Sequence, residues 1–209
     1  MLFEMGGQRP RVDGSAVIAP TAVLSGDVTV GPSVYISFGA LLIGDDGPVD
    51  IREGTVVREH VVIRAGRRHP VRVGRHVLVG AHSALYGCTI EDEAFLATGV
   101  TVFHGARVGT RAEVRIGGVV HVNSVLESEG LVPIGWVAVG NPAVALPSAA
   151  HEDIWAVQQR LNFPGTVYGV ERGPDGRVDM RLVTERAVIA ARGRRWTPLV
   201  DDADPSKYP

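Results

Sequence analysis

An aliphatic residue recurs every six positions along most of this chain. Between residues 73 and 120 the spacing is six except for one five-residue step. The series is Val73, Val79, Leu85, Ile90, Leu96, Val102, Val108, Val114 and Val120. Neither an α-helix, with about 3.6 residues per turn, nor a flat strand, with a period of about two, explains a period of six. Hexapeptide repeats are typical of a parallel β-helix, in which three units close a triangular coil. The pattern therefore predicts an all-β solenoid whose coils bury their aliphatic residues on one another.

The repeat begins before this stretch and is interrupted twice. The earlier members are Ile18, Leu24, Val30, Ile36, Leu42, Ile51, Val57 and Ile63, which brings the total to 17 units, or between five and six coils. A turn-rich insertion interrupts the series at residues 44–50, and a second break falls at 65–72. After Val120 the pattern loosens. We expect residues 1–146 to form the β-helix, with residues 1–17 covering the open edge of the first coil.

The segment after the repeat has a helical pattern. Residues 147–164 are predicted to form a C-terminal α-helix that packs on the β-helix, capped by Ser148 and stopped by residues 163–165. Its apolar face would consist of Ile154, Val157 and Leu161. The remaining extension, residues 165–209, is less constrained. Residues 177–192 fit either a second helix, with Val178, Leu182 and Ile189 on one side, or a strand paired across the turn at 174–176, and residues 193–209 read as a polar tail.

Composition excludes several classes of protein. The 209 residues have a formal charge of −2, which gives no reason to expect nucleic acid as a partner. No stretch approaches the roughly 18 continuous apolar residues of a membrane span, and the N-terminus has no apolar leader. The single cysteine, Cys88, fits a reducing compartment and the role of a small core residue. We expect a cytoplasmic protein without a membrane partner.

Two segments resemble a known family. The runs Asp50 to Arg58 and Gly80 to Cys88, together with the shorter run at residues 43–45, are similar to motifs of the γ-class carbonic anhydrases. The resemblance covers roughly residues 10–165. It implies a left-handed β-helix, a homotrimer, and active sites between subunits, each built around a metal held by three histidines.

The three histidine positions of that family are occupied here by Arg58, Ala81 and Tyr86. Arginine is permanently protonated, alanine has no donor atom, and a catalytic zinc needs about three ligands with free lone pairs. The family's metal site and its carbon dioxide hydration therefore do not carry over. The arginine that ties subunits together in the family is also replaced, by Ile43, although Asp45 remains.

Histidines elsewhere in the repeat offer a relocated metal site. His60 and His82 hold the same unit position in successive coils, so their rings should stack roughly 5 Å apart. A neighbouring subunit's His104 could supply a third ligand for zinc or another divalent metal. Alternatively, all three are ordinary histidines at the corners of the coils. The sequence alone makes no cofactor certain.

A metal-free pocket is the second possibility. Its catalytic members would be Arg58, Glu59, His82 and Tyr86, with Phe103 and Glu53 binding the ligand. A guanidinium, a carboxylate, an imidazole and a phenol together can bind a small carboxylated molecule and transfer protons. Alternatively, Arg58 and one of the two glutamates form an ion pair that holds subunits together in place of the metal.

The second interruption of the repeat concentrates positive charge. Arg67 and His69 lie in this loop with Arg68, and such a group could receive a phosphate or carboxylate. Three functions remain open: an anhydrase-like homotrimer with a diverged small-molecule activity, an acyl-CoA-dependent acyltransferase or thioesterase with His69 or His82 as base, and a non-catalytic structural or ligand-binding trimer.

Overall fold

The computed structural model describes residues 1–199 and is a parallel β-helix followed by short helices, as predicted. The predicted polar tail therefore lies partly outside the described residues. The strands are β1 (Leu2–Met5), β2 (Arg11–Val12), β3 (Val17–Ile18), β4 (Val23–Val30), β5 (Tyr35–Ile36), β6 (Leu41–Ile51), β7 (Val56–Val57), β8 (Val62–Arg64), β9 (Val71–Val73), β10 (Leu78–Val79), β11 (Ala84–Tyr86), β12 (Thr89–Ile90), β13 (Phe95–Leu96), β14 (Thr101–Val102), β15 (Arg107–Val108), β16 (Glu113–Val114), β17 (Val119–Val120), β18 (Val125–Leu126), β19 (Leu131–Val132), β20 (Trp136–Gly140), β21 (Ala143–Pro147) and β22 (Trp196–Pro198).

The strands form three faces of a prism. Face A contains β8, β11, β14 and β17, and face C contains β9, β12, β15 and β18. In the first coils β4 and β6 run continuously from face A to face C. Face B is a separate sheet of seven parallel strands: β3, β5, β7, β10, β13, β16 and β19. We name the corners after the faces they join: the BA corner leads from face B into face A, the AC corner from A into C, and the CB corner from C into B.

Stacked aliphatic side chains fill the prism. In each two-residue strand the second residue points inward: on face B, Val57 lies in register with Val79, and Val79 with Leu96. All three are fully buried. Burying an aliphatic side chain of this size contributes about 1.5–3 kcal/mol, so the repeated inward position is the main source of stability of the solenoid.

The corners require backbone with positive φ. His60 and His82, with φ of 56° and 59°, occupy this conformation at the BA corner. Histidine adopts it more readily than most residues. The next coil below has Gly39 at the same position, with φ of 70°, and a Cβ there would lie 2.4 Å from Nδ1 of His60. Glycine therefore allows the imidazole of His60 to lie against the turn beneath it.

The outward residues give the three faces different chemistry. On face C they are mostly polar or charged, and Nε of Arg107 donates to Glu91 over 2.7 Å. Face B and its BA corner instead expose large apolar side chains, with exposed fractions between 38% and 63%: Val17, Phe38, Leu78, Phe95, Ile116, Leu131 and Ile134. Face B is therefore an apolar surface, whereas face C is suited to solvent.

The structure adds two details to the predicted repeat. Residues 44–50 are not a separate turn but part of the 11-residue strand β6, which pairs with β4 around an irregularity between Gly26 and Val28. Gly44 pairs with Gly26 and Val49 with Val28, so residues 45–48 lie opposite the single residue Asp27 and the predicted insertion is present as a bulge within the strand. The repeat also continues past Val120, because β18 to β20 add inward residues Leu126, Val132 and Ala138.

The C-terminal extension contains three α-helices rather than one or two. They are α1 (His151–Gln158), α2 (Phe163–Tyr168) and α3 (Met180–Arg192), with a 3₁₀ turn at Gln159–Leu161. The predicted cap Ser148 was wrong: α1 begins after Ala150, which has no side-chain cap. Residues 163–165 were expected to end the helix, but they form the start of α2. The side-chain oxygen of Asn162 caps this helix by accepting from the amide of Gly165, and Pro164 fits the first turn, where its missing N–H costs no hydrogen bond.

Part of the predicted packing of these helices is confirmed. Ile154 is buried and α1 packs on β20. Both alternatives for residues 177–192 are partly present, since α3 forms and Val178 makes an isolated antiparallel bridge with Arg172. The expected apolar face of α3 was wrong at Ile189, which is exposed, while Val183 is buried instead.

The extension returns along the prism from the last coil to the first. Strand β22 pairs antiparallel with β1, which pairs with β4. The residues expected to form a polar tail thus include a strand at the N-terminal end of the solenoid. Among residues 1–199 no helix has the length and apolarity needed to cross a bilayer.

Candidate functional site

The predicted stack of His60 and His82 is confirmed. Their ring centroids are 5.2 Å apart with an interplanar angle of 14°. Both side chains are exposed at the BA corner. Within residues 1–199 no three histidine, cysteine, aspartate or glutamate side chains come together as a metal site. One chain therefore supplies at most this pair, and His104 lies elsewhere.

His104 belongs to a second group, at the AC corner. Its ring stacks on Tyr86, with centroids 5.9 Å apart and 8° between planes, and meets His69 edge-on at 5.9 Å. His69 is held by a turn in which its amide donates to the carbonyl of Gly66 and its carbonyl accepts from the amide of Gly66. The turn passes close to Gly87, where a Cβ would lie 2.5 Å from that of His69. Glycine at this position lets the three rings meet.

Aromatic side chains extend this group along face A. Phe103 lies one coil beyond Tyr86, with ring centroids 6.3 Å apart, and His121 follows Phe103 at 6.2 Å. Tyr86, Phe103 and His121 form this ladder because each directly follows the inward aliphatic residue of its repeat unit. Phe163 at the start of α2 packs on Phe103 at 5.3 Å and on His121 at 5.7 Å. We call the set of His69, Tyr86, Phe103, His104, His121 and Phe163 the histidine–aromatic cluster.

Burial keeps two imidazoles of the cluster neutral. Nδ1 of His104 and Nδ1 of His121 are buried and have no hydrogen-bond partner among residues 1–199. Burial lowers the pKa of His104, and the nearby His69 lowers it further. Burial also lowers the pKa of His121, against a smaller opposing effect of a hydrogen bond at the backbone of Val122. Neutral imidazoles at pH 7 can accept a proton, which is the ordinary requirement for a general base.

Arg58 and Glu59 form a separate group at the BA corner. Nε of Arg58 lies 3.2 Å from Oε2 of Glu59, and Oε1 of Glu59 accepts from Oγ of Ser37 over 2.8 Å. The pKa of Glu59 is lowered by its own backbone amide, by the Ser37 hydroxyl and by Arg58. Both members of the ion pair are substantially exposed, so it contributes little to the stability of a single chain.

The predicted metal-free pocket is therefore divided in one chain. Arg58, Glu59 and His82 lie at the corner where face A begins, whereas Tyr86 and Phe103 lie where it ends. Glu53 lies at neither of these two corners. It precedes β7 at the CB corner, where its backbone carbonyl accepts from the amide of His76. Within one chain β7 therefore separates Glu53 from Arg58, and the role of Glu53 in a pocket between subunits stays a prediction.

The cationic loop lies beside the histidine–aromatic cluster. Arg67 and Arg68 are exposed within the turn that presents His69. Neither side chain forms an ion pair or hydrogen bond within the described part of the chain. Cys88, by contrast, is buried in the core, and burial raises the pKa of its thiol to about 12, so that it stays protonated and unreactive.

Sequence reasoning missed a buried carboxylate. The Asp45 side chain is only 3% exposed. Its Oδ1 accepts from Oγ of Ser25 over 2.7 Å, and its Oδ2 accepts from Nε1 of Trp196 over 3.1 Å. Nη1 of Arg194 lies 3.6 Å from Oδ2 of Asp45, and the same guanidinium forms an ion pair with Asp46. The contact between Asp45 and Trp196 joins residues about 150 positions apart, and no periodicity in the sequence links them. The one sequence feature that could have indicated the contact is the tryptophan itself, which stands in an otherwise polar tail.

Comparisons with known proteins agree with this architecture. No protein-family model matches the chain. It is 32% identical over 164 residues to gamma carbonic anhydrase 1, mitochondrial, of Arabidopsis thaliana, covering 76% of this chain. It spans only 58% of that relative's length. It is 30% identical over 200 residues to gamma carbonic anhydrase 2, mitochondrial, of the same plant, covering 93% of this chain and 70% of the relative. The solved structure of a hexapeptide transferase family protein from Anaplasma phagocytophilum aligns with a TM-score of 0.62 and 27% identity, over 77% of this chain and 92% of that one.

The buried imidazole of His121 predicts a loss of stability in mild acid. Its folded pKa lies below the unfolded value of 6.5, so the unfolded chain binds more protons as the pH falls below that value. Unfolding free energy should then decrease by up to about 1.4 kcal/mol per pH unit from this group. Urea unfolding at pH 7.5 and 5.5 would measure the slope, which His121→Phe should reduce and the exposed control His151→Gln should not. Equal slopes in wild type and His121→Phe would contradict the prediction.

Proposed function

Because the chain belongs to the γ-class carbonic anhydrase family, we propose that it is a homotrimer that has exchanged the family's metal site for a metal-free pocket acting on a small molecule. The observation behind this proposal is the chemistry of Arg58, Ala81 and Tyr86, which stand where the motif resemblance places the family's metal ligands. Arg58 is engaged by Glu59, Tyr86 stacks on His104, and Ala81 has no donor atom. These residues do not fit a zinc ion.

Assembly of three chains would complete the pocket. The groups at the two edges of face A do not meet within one chain, and a ring of three joins one surface of each chain to a different surface of the next. If the BA corner of one chain docks on face A of its neighbour, Arg58, Glu59 and His82 approach the neighbour's histidine–aromatic cluster. The exposed apolar side chains of face B support this arrangement, since burying them against a neighbour is favourable.

The proposed chemistry is acid–base catalysis on a small anionic molecule. The neutral imidazole of His104 accepts a proton, and the stacked Tyr86 and the adjacent His69 orient the reacting group. Arg58 binds the anionic part of the molecule through its guanidinium, while Glu59 holds Arg58 in position. His82 lies at the same corner as Arg58 and completes the polar wall.

Metal analysis tests the proposed loss of the family site. We expect purified, untagged protein to contain less than about 0.1 zinc, iron or cobalt per chain, because the aligned positions lack ligands. The triple variant Arg58→His, Ala81→His, Tyr86→His should gain near-stoichiometric zinc, and His82→Ala should match wild type. Stoichiometric metal in wild type that disappears in His82→Ala would overturn the proposal, and would favour a site built from His60, His82 and a neighbouring subunit's His104.

Face B predicts the oligomeric state. Light scattering should give a particle of about 67 kDa, three chains of 22.2 kDa each. Phe95→Asp places a charge in the middle of the apolar surface and should shift the mass towards one chain. Thr89→Asp, which places the same charge on polar face C, is the control and should leave the trimer intact. A wild-type particle of 22.2 kDa would rule out the assembly.

Acyl-CoA-dependent acyl transfer or thioester hydrolysis is a second candidate. The observation that favours it is that Arg67 and Arg68, beside His69, have no side-chain partner among residues 1–199. Guanidinium groups bind phosphates, and an adjacent imidazole can serve as base. The likeness to a hexapeptide transferase family protein supports it further.

Ligand-dependent melting tests this candidate. Acetyl-CoA at about 100 times its dissociation constant should raise the melting temperature by several degrees, because it binds only the folded state. The double variant Arg67→Gln, Arg68→Gln should lose most of this shift, whereas Arg75→Gln, at the exposed CB corner, should retain it. Unchanged melting of wild type with acetyl-CoA would remove the candidate.

A further inference from the structure

A cavity separate from the histidine–aromatic cluster lies between face A of the first coils and the returning C-terminal segment. Its volume is about 280 Å³. The walls are mainly apolar and come from β1, β4, β6 and β22: Phe3, Val23, Leu41, Ile43 and Trp196. The cavity exists because β22 pairs with β1 and places Trp196 over the outward residues of β4 and β6.

The buried carboxylate in this cavity already has partners within the chain. Asp45 accepts from Ser25 and Trp196 and lies beside Arg194, whose guanidinium also pairs with Asp46. These contacts use both oxygens of the buried carboxylate. Asp45 and Arg194 are the two of these groups that line the cavity, and there their charges are equal and opposite; Asp46 lies outside the lining and brings the three groups together to a charge of −1.

One cation on the cavity wall has no partner in the described part of the chain. Arg64, at the end of β8, is half-buried, and its side chain forms no hydrogen bond or ion pair with residues 1–199. A guanidinium beside apolar walls is partly desolvated, so a neutral apolar ligand would leave it without compensation. A carboxylate satisfies it with two parallel hydrogen bonds.

We infer that this cavity binds a small organic monocarboxylate, with the carboxylate on Arg64 and a short apolar tail against Ile43, Leu41 and Trp196. The cavity is slightly smaller than the roughly 300–1,000 Å³ of drug-sized sites, which limits the ligand to a short chain or a single ring. Arg64 is in register with Tyr86 one coil further along, so the bound carboxylate lies at the near end of the histidine–aromatic cluster. All residues that line the site come from one chain, and the site does not use the family's metal.

Hexanoate is a suitable probe, with hexan-1-ol and hexylammonium as charge controls. Titration would be followed by calorimetry and by the indole N–H resonance of Trp196, assigned with a Trp196→Phe variant. We expect hexanoate to shift this resonance and to bind at least about tenfold more tightly than either control, because only the carboxylate pairs with Arg64. Equal affinities for hexanoate and hexan-1-ol, or no movement of the Trp196 resonance at saturating hexanoate, would overturn the inference.

Two arginine variants separate the site from general attraction to positive charge. Arg64→Gln removes the proposed anchor without leaving a protein partner unpaired, and it should weaken hexanoate binding at least about tenfold. Arg75→Gln removes an equally charged but exposed guanidinium at the CB corner, outside the cavity, and should change the affinity less than about twofold. Equal weakening by both variants would show nonspecific electrostatic binding and reject the site.

Leu41→Trp tests the location of the ligand, because it fills the cavity while keeping Arg64. It should abolish hexanoate binding, and retained affinity in that variant would place the ligand elsewhere.

Discussion

In-register stacking of parallel coils is the constraint on which the rest of this structure depends. Each backbone amide in a strand finds its acceptor in the adjacent coil, so a residue can occupy a position only if it fits the residues directly above and below it. The inward positions meet this condition with aliphatic side chains, as in the stack of Val57, Val79 and Leu96. The same condition applies at the corners, where Gly39 admits the ring of His60 and Gly87 admits His69.

Stacking also decides which polar side chains can act together. Neighbours in sequence diverge, because Phe103 joins the ladder on face A while His104 turns into the AC corner and meets His69. Residues one coil apart converge, as the rings of His60 and His82 do. Residues at the two edges of face A keep the width of the face between them. Chemistry that needs both Arg58 and Tyr86 therefore needs a second chain, whereas chemistry confined to Tyr86, His69 and His104 is possible within one.

The periodic part of the chain could be predicted from sequence, because its structure follows from nearest-neighbour stacking. The β-helix, the pair of His60 and His82 and the ladder through Tyr86 and Phe103 all follow from position in the repeat. The contact of His69 with His104 could not be predicted, since it depends on how the turn at 66–69 folds back over the corner. The partners of Asp45 were equally inaccessible, because they come from an extension without periodicity whose path is set by tertiary contacts alone.

That extension changes the energetics of the solenoid. In a simple repeat protein each coil contacts only its neighbours, so the terminal coils can open without disturbing the middle. Here α1 packs on β20, Phe163 packs on Phe103 and His121, and β22 pairs with β1. One continuous segment thus connects the last, middle and first coils. Opening either end must break contacts of this segment, and the segment in turn holds Trp196 over the cavity at Arg64. Binding in that cavity is therefore coupled to the stability of the first coil, because a ligand held by Trp196 and Arg64 is lost when β22 leaves β1.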